Sequence, residues 1–219
     1  MKEEDNLLAG VLFRPGHPEL RAIKLRSHKL SAQYSRTDED DVEIRQKLLE
    51  LILNEFGEGS FIQGPVFFHY GKHTTIGHNN FFNYNLTIQD DALVTIGNHN
   101  SFGPNFTIVT PVHPLLPGER KLMHDKDGNP ARLCYAKPVV IGNDCWFGAN
   151  VTVCPGVTIG DACVIGAGSV VTRNIPSHTV AAGVPCKVIR PITKEDTMAN
   201  KPEILADYTC LPETEYPLD

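Results

Sequence analysis

Between residues 138 and 171 the chain reads PVVIGNDCWFGANVTVCPGVTIGDACVIGAGSVV, with an aliphatic or aromatic side chain at every sixth position. Ile141, Phe147, Val153, Ile159, Ile165 and Val171 hold that phase without a break. A helix repeats in about 3.6 residues and a half-buried strand in about two, so this period belongs to neither. It is the period of a parallel β-helix, where each short strand sends one large side chain into a narrow interior before the chain turns. Gly follows the apolar residue at 142, 148, 160 and 166, and Gly best tolerates the positive φ or close backbone approach that such a turn demands. Equivalent strands of successive coils then pair with one another, which satisfies their backbone hydrogen bonds. The same phase runs through Ile76, Phe82 and Ile88, and again through Ile96, Phe102 and Ile108. Strands of a β-sandwich, spaced by roughly 8 to 12 residues, do not generate it.

Before residue 58 the texture is helical. Leu20, Ile23, Leu30 and Tyr34 share one side of a segment opened by Pro18, and Val42, Leu49, Ile52 and Phe56 do the same in the next. Thr37 with Asp40 predicts a capping box before that second segment, and Gly57 its C′ stop. The expected organisation is a helical cap over 1–57, a β-helix over 58–192 with an inserted loop at about 109–138, and a tail over 193–219.

The formal charge of −6 removes the electrostatic basis for general binding to nucleic acid or anionic lipid, though a local basic pocket stays open. Cys134, Cys145, Cys154, Cys163, Cys186 and Cys210 include no C-x-x-C pair, and a chain with this much apolar content needs no staples. They read as reduced thiols. Cys145 and Cys163 occupy the same point of the hexad as Val151, Val157 and Ser169, which makes them small packing residues. The opening MKEEDNLLAG carries acids where a signal peptide carries bases, and no run approaches ~18 apolar residues. The expectation is a soluble, cytoplasmic protein without a membrane partner.

Between Ile108 and Ile141 the period vanishes, and long irregular excursions from a rigid scaffold are more often functional than accidental. His113 lies just inside it, followed by Pro114. A lone loop histidine is more often a surface or packing residue than a catalytic one, so its neighbours must decide.

FFNYNLTIQDD (81–91), the His113-Pro114 pair, IGNDCWFGANVTVCPGVTIGDACVIGAGSVVT (141–172) and AAGVPCKVIR (181–190) together resemble the maltose and galactoside O-acetyltransferases of the hexapeptide acyltransferase superfamily. The resemblance spans roughly residues 5–192. It implies a mainly β chain built as a left-handed parallel β-helix with an N-terminal helical cap, a homotrimer with active sites between subunits, and acetyl-CoA as donor with no metal required. The left hand follows from the family alone, since parallel crossovers are ordinarily right-handed.

Acetylating a sugar requires a hydroxyl deprotonated as it attacks a thioester, and an imidazole with a pKa near about 6.5 suits that task. His113 is similar in place to the family's base. Asn83 and Asp91 match its acceptor-site Asn and Asp; by residue type alone they would read as an Asn ladder and a solvated acidic corner. Two acceptor positions depart from the galactoside enzymes, with Pro15 in place of an Asp and His69 in place of a Ser. For the donor, Trp146 matches a channel aromatic, Ala149 a position beside the thioester where only a backbone N–H can donate, and Ala167 and Thr172 further contacts. Lys187 and Arg190 stand where the family has arginines, and with Arg173 they form a basic set suited to phosphates. The excursion after His113 is longer than in familiar relatives by the run HDKDGNPAR.

Two other classes are open to such a chain. His69, His73 and His78 invite comparison with zinc-binding β-helical carbonic anhydrases, but they fall at mixed phases of the hexad. A silent scaffold subunit would have no use for His113, Asn83, Asp91 or the basic set. Within the enzyme class, an amino sugar or antibiotic is the alternative acceptor.

Overall fold

Like stacks on like along the axis of the chain. In the computed structural model, which describes residues 2–125, 127–205 and 207–209, all twelve in-phase apolar residues are buried. Ile76, Ile96, Ile141 and Ile159 are register partners, as are Phe82, Phe102, Phe147 and Ile165, and Ile88, Ile108, Val153 and Val171. Three parallel ladders result. The first holds Glu55–Phe56, Thr74–Ile76, Val94–Ile96, Val139–Ile141 and Thr158–Ile159. The second runs from Phe61–Ile62 through Phe81–Phe82, Ser101–Phe102, Trp146–Phe147 and Val164–Ile165 to the antiparallel pair Thr179–Gly183 and Cys186–Pro191. The third holds Val66–Phe68, Leu86–Gln89, Thr107–Val109, Thr152–Val153 and Val170–Val171.

Side-chain identity at each level follows from that stacking. The rings of Phe82, Phe102 and Phe147 lie 4.2 and 4.8 Å apart, tilted by only 2° and 8°. A Cβ on Gly77 would sit 2.6 Å from the Gly97 carbonyl oxygen, and one on Gly97 2.6 Å from that of Gly142, so close approach is what demands glycine there. Asn100 donates to Asn80 at 3.0 Å and accepts from the Cys145 amide at 2.8 Å. Cys145 and Cys163 continue this column upward, their thiols donating to the carbonyls of Gly160 (3.1 Å) and Pro176 (3.2 Å). Five cysteines are free; Cys210 lies outside the described residues.

Helices α1 (Glu3–Leu8), α2 (Pro18–Tyr34) and α3 (Val42–Ile52) cover the first coils. Four details differ from the sequence-based expectation. Helix α3 stops at Ile52, and Phe56 belongs to the first ladder, paired with Ile76. Gly57 is therefore no helix stop; a Cβ there would overlap the Gly77 carbonyl of the coil above. Thr37 donates to the Tyr34 carbonyl at 2.7 Å and so finishes α2, while Asp41 is the residue at the N-cap of α3. Helix α3 presses Arg45, Leu49 and Ile52 inward and leaves Val42 exposed. The Arg45 guanidinium lies over the Tyr34 ring and donates to the carbonyls of Ile62 (2.6 Å), Gln63 (2.7 Å) and Asp38 (3.2 Å), tying the helices to the solenoid. Among the described residues no helix is long and apolar enough to cross a membrane.

Candidate active site

The corners of the prism sort the predicted site residues into two groups. His69, Asp91, Thr172 and Arg173 leave strands of the third ladder and occupy the corner leading to the first, and His113 follows Thr107–Val109 of the same ladder by way of the short strand Pro111–Val112. Asn83, Ala149 and Ala167 occupy the corner between the second and third ladders. Trp146 points outward from the second ladder just before that corner, and Lys187 and Arg190 lie on the outermost strand of the same ladder. The backbones of this second group nearly touch: a Cβ on Gly148 would lie 2.5 Å from the Ala167 amide nitrogen. A filled core lies between the two corners, so within one chain the groups do not converge.

His113 opens the excursion. Pro111–Val112 pairs antiparallel with Tyr135–Ala136, which pinches the base of the loop and holds the exposed imidazole beside the solenoid. It faces an open pocket of about 370 Å³ lined also by Pro15, Arg120, Lys121, Arg132 and Leu133. Pro15 is brought there because the Phe13 amide donates to the Cys134 carbonyl at 2.9 Å, stitching the N-terminal segment to the far end of the loop. Lys24 of α2 then donates to the Pro15 carbonyl at 2.8 Å.

The same corner carries a desolvated polar cluster. Asp91 is 2% exposed, and its Oδ2 has no hydrogen-bond partner; the buried Tyr70 hydroxyl is likewise unpartnered. Burial, reinforced by the neighbouring Asp90 charge, pushes the Asp91 carboxyl up to about 6 against the opposing pull of Lys24. Asp90 itself is fully buried and accepts from the Tyr70 amide (2.7 Å) and the Thr74 hydroxyl (3.0 Å). His69 sits edge-on to Tyr70 with ring centroids 4.8 Å apart and 5.4 Å from His28. Burial, with the charges of Lys24 and His28, pushes its imidazole down to about 4, which leaves it neutral near pH 7. A neutral ring both donates and accepts, as a hydroxyl-binding group must. Lys24 and Tyr70 escaped the sequence reading because no motif marks them; only the packing of α2 on the solenoid brings the lysine's charge to this cluster.

The donor-side cations are exposed, and one is already engaged. Arg190 grips Asp196 through two bonds of 2.7 Å, which draws that carboxyl down to about 2. The three histidines considered for zinc do different things. His73 is buried with its ring nitrogens on Glu4 and the Asp90 carbonyl, both at 2.9 Å, while His78 is exposed on another corner. Among the described residues no three metal-ligating side chains gather.

Residues 6–57 match the maltose acetyltransferase hexapeptide capping motif, and residues 138–173 the hexapeptide repeat of succinyl-transferase. The galactoside O-acetyltransferase of Escherichia coli (strain K12) is 40% identical over 196 residues, which cover 90% of this chain and 92% of that protein. The chain belongs to the maltose and galactoside O-acetyltransferase family. Solved members of this family share its architecture. A galactoside acetyltransferase in complex with coenzyme A matches with a TM-score of 0.81 at 38% identity, covering 97% of this chain and all 100% of the other. A maltose O-acetyltransferase from Clostridium difficile 630 matches with a TM-score of 0.80 at 34% identity, covering 89% and 99%.

Proposed function

We propose that this protein transfers the acetyl group of acetyl-CoA to a sugar hydroxyl, directly, within a ternary complex. The observation that carries this reading is 40% identity to a galactoside O-acetyltransferase across nearly the whole chain. In the proposed step His113 removes the acceptor hydroxyl's proton as its oxygen bonds to the thioester carbonyl carbon. The tetrahedral intermediate then collapses, the C–S bond breaks, and the imidazolium returns the proton to the departing CoA sulfur. The Ala149 amide is the proposed oxyanion donor. Asn83, His69 and Asp91 hold the acceptor, and the unpartnered Asp91 Oδ2 and Tyr70 hydroxyl suit a ligand that brings its own hydroxyls. Trp146, Ala167, Thr172, Arg173, Lys187 and Arg190 are assigned to CoA, Arg190 exchanging or sharing Asp196 for a phosphate.

The two-corner distribution supports a homotrimer. Three prisms around an axis set the His113 corner of one chain against the Asn83 corner of the next, which is how residues separated by a filled core could serve one substrate. Free thiols on the five described cysteines suit the reducing cytoplasm, where we place the reaction.

The test is release of free CoA thiol from acetyl-CoA across glucosides, maltose, galactosides and amino sugars, with wild type and His113→Ala. We expect O-acetylation whose kcat falls by about two to four orders of magnitude in the variant, with acetyl-CoA binding retained. Normal turnover by His113→Ala would overturn the mechanism. Turnover confined to amino groups would move the protein to another acceptor class.

A further inference from the structure

We infer that the acceptor carries an anionic group, a phosphate or a carboxylate, seated against Arg120, Lys121 and Arg132 beside His113. This rests on the acetyltransferase reading and narrows its substrate class. In a chain of formal charge −6, three basic side chains line the pocket that the proposed base faces, and no carboxylate lines it among the described residues. Glu119, beside Arg120 in the chain, does not line the pocket, and Asp125, further along the same loop, is occupied by Arg14 at 3.2 Å and by the amide of Asn129 at 2.9 Å. Among the described residues Lys121 and Arg132 make no ion pair and no side-chain hydrogen bond.

Three like charges in one concavity repel, and a bound anion removes that repulsion. A guanidinium meets a phosphate or carboxylate with two parallel N–H bonds, and a lysine adds a point charge. Helix α4 (Pro117–Lys121) supplies two of the cations, and Arg120 fastens it by donating to the carbonyls of Pro114 (3.3 Å) and Leu115 (3.0 Å), immediately after His113. Arg132 comes from the return strand Pro130–Ala131 and its continuation, the last residue of the run that lengthens the excursion. The cations are thus fixed relative to the base by both arms of one loop.

The experiment compares kcat/KM for matched acceptors, namely a neutral methyl glucoside, glucuronate and glucose 6-phosphate, with wild type, Arg132→Gln and His113→Ala. We expect the anionic acceptors to exceed the neutral one by about tenfold or more, and the ratio to fall about tenfold in Arg132→Gln. Because Arg120 also holds the loop, Arg132 is the cleaner substitution. Raising salt from about 0.05 to 0.5 M should erode the ratio in wild type, a readout that needs no variant to fold. Whichever anion is preferred names the group. Equal or better turnover of the neutral acceptor, insensitive to salt and to Arg132→Gln, overturns this inference and leaves the acetyltransferase standing. Absence of thiol release with every acceptor defeats the parent reading, and this one with it.

Discussion

Asp91 shows what a single residue contributes when its surroundings deny it water. Its folded-state pKa of about 6 lies above the ordinary 3.8, so between those values the folded chain holds a proton that the unfolded chain has lost. Its contribution to stability is therefore full below about pH 4 and lost as pH rises through about 6. Denaturant unfolding of wild type and Asp91→Asn at several pH values should show wild type losing on the order of 2 kcal/mol relative to the variant across that window. Parallel stability curves would contradict a buried, ionised Asp91. The same residue predicts a catalytic effect of its own: if its carboxylate accepts from an acceptor hydroxyl, Asp91→Asn should raise KM for the sugar far more than KM for acetyl-CoA.

At the scale of the element, the coil geometry sets different rules for chemically identical positions. Gly97→Ala forces a methyl group to within 2.6 Å of the Gly142 carbonyl oxygen, whereas Gly118 in helix α4 has nothing within 4 Å of an added Cβ. The first should cost about 1–3 kcal/mol through overpacking. The second should be neutral or stabilise by up to about 1 kcal/mol, since alanine is the better helix former. Thermal melts of the two variants check the contrast, and equal losses would deny the stacking account. Phe102 is the middle ring of the column with Phe82 and Phe147, so Phe102→Ala should cost about 3–5 kcal/mol, with little room for the rigid coils to collapse onto the gap.

On the scale of the whole molecule, cap and solenoid are joined by a buried cation that has no carboxylate partner among the described residues. Arg45 satisfies carbonyls from both parts, and Arg45→Met would strand that of Gln63 and leave that of Ile62 with the Tyr34 hydroxyl alone. A loss of about 2–4 kcal/mol is expected, read as a lower denaturant midpoint. The proposed trimer makes a separate prediction. Light scattering should give three chains per particle, and mixing His113→Ala with Asn83→Ala chains should restore activity at those sites where two intact corners meet. If activity never exceeds that of either parent, the shared site is wrong.

Much of this protein was legible before any coordinate. A strict six-residue period admits few structures because every coil must repeat the same inward contact, and the phase of Ile76, Phe82 and Ile88 carried through to their burial and register. The glycines announced close approach for the same reason. Phe56 and Gly57 were misread because helical and solenoid phases overlap at that junction, and only the partner strand Thr74–Ile76 settles which one holds. The orphaned Asp91 oxygen, the reach of Lys24 into that cluster and the meeting of Arg120, Lys121 and Arg132 with His113 had no local signature at all. Periodicity is a property of neighbours along the chain, whereas solvation and charge at a site depend on residues that distant segments bring together, and only the tertiary structure decides which those are.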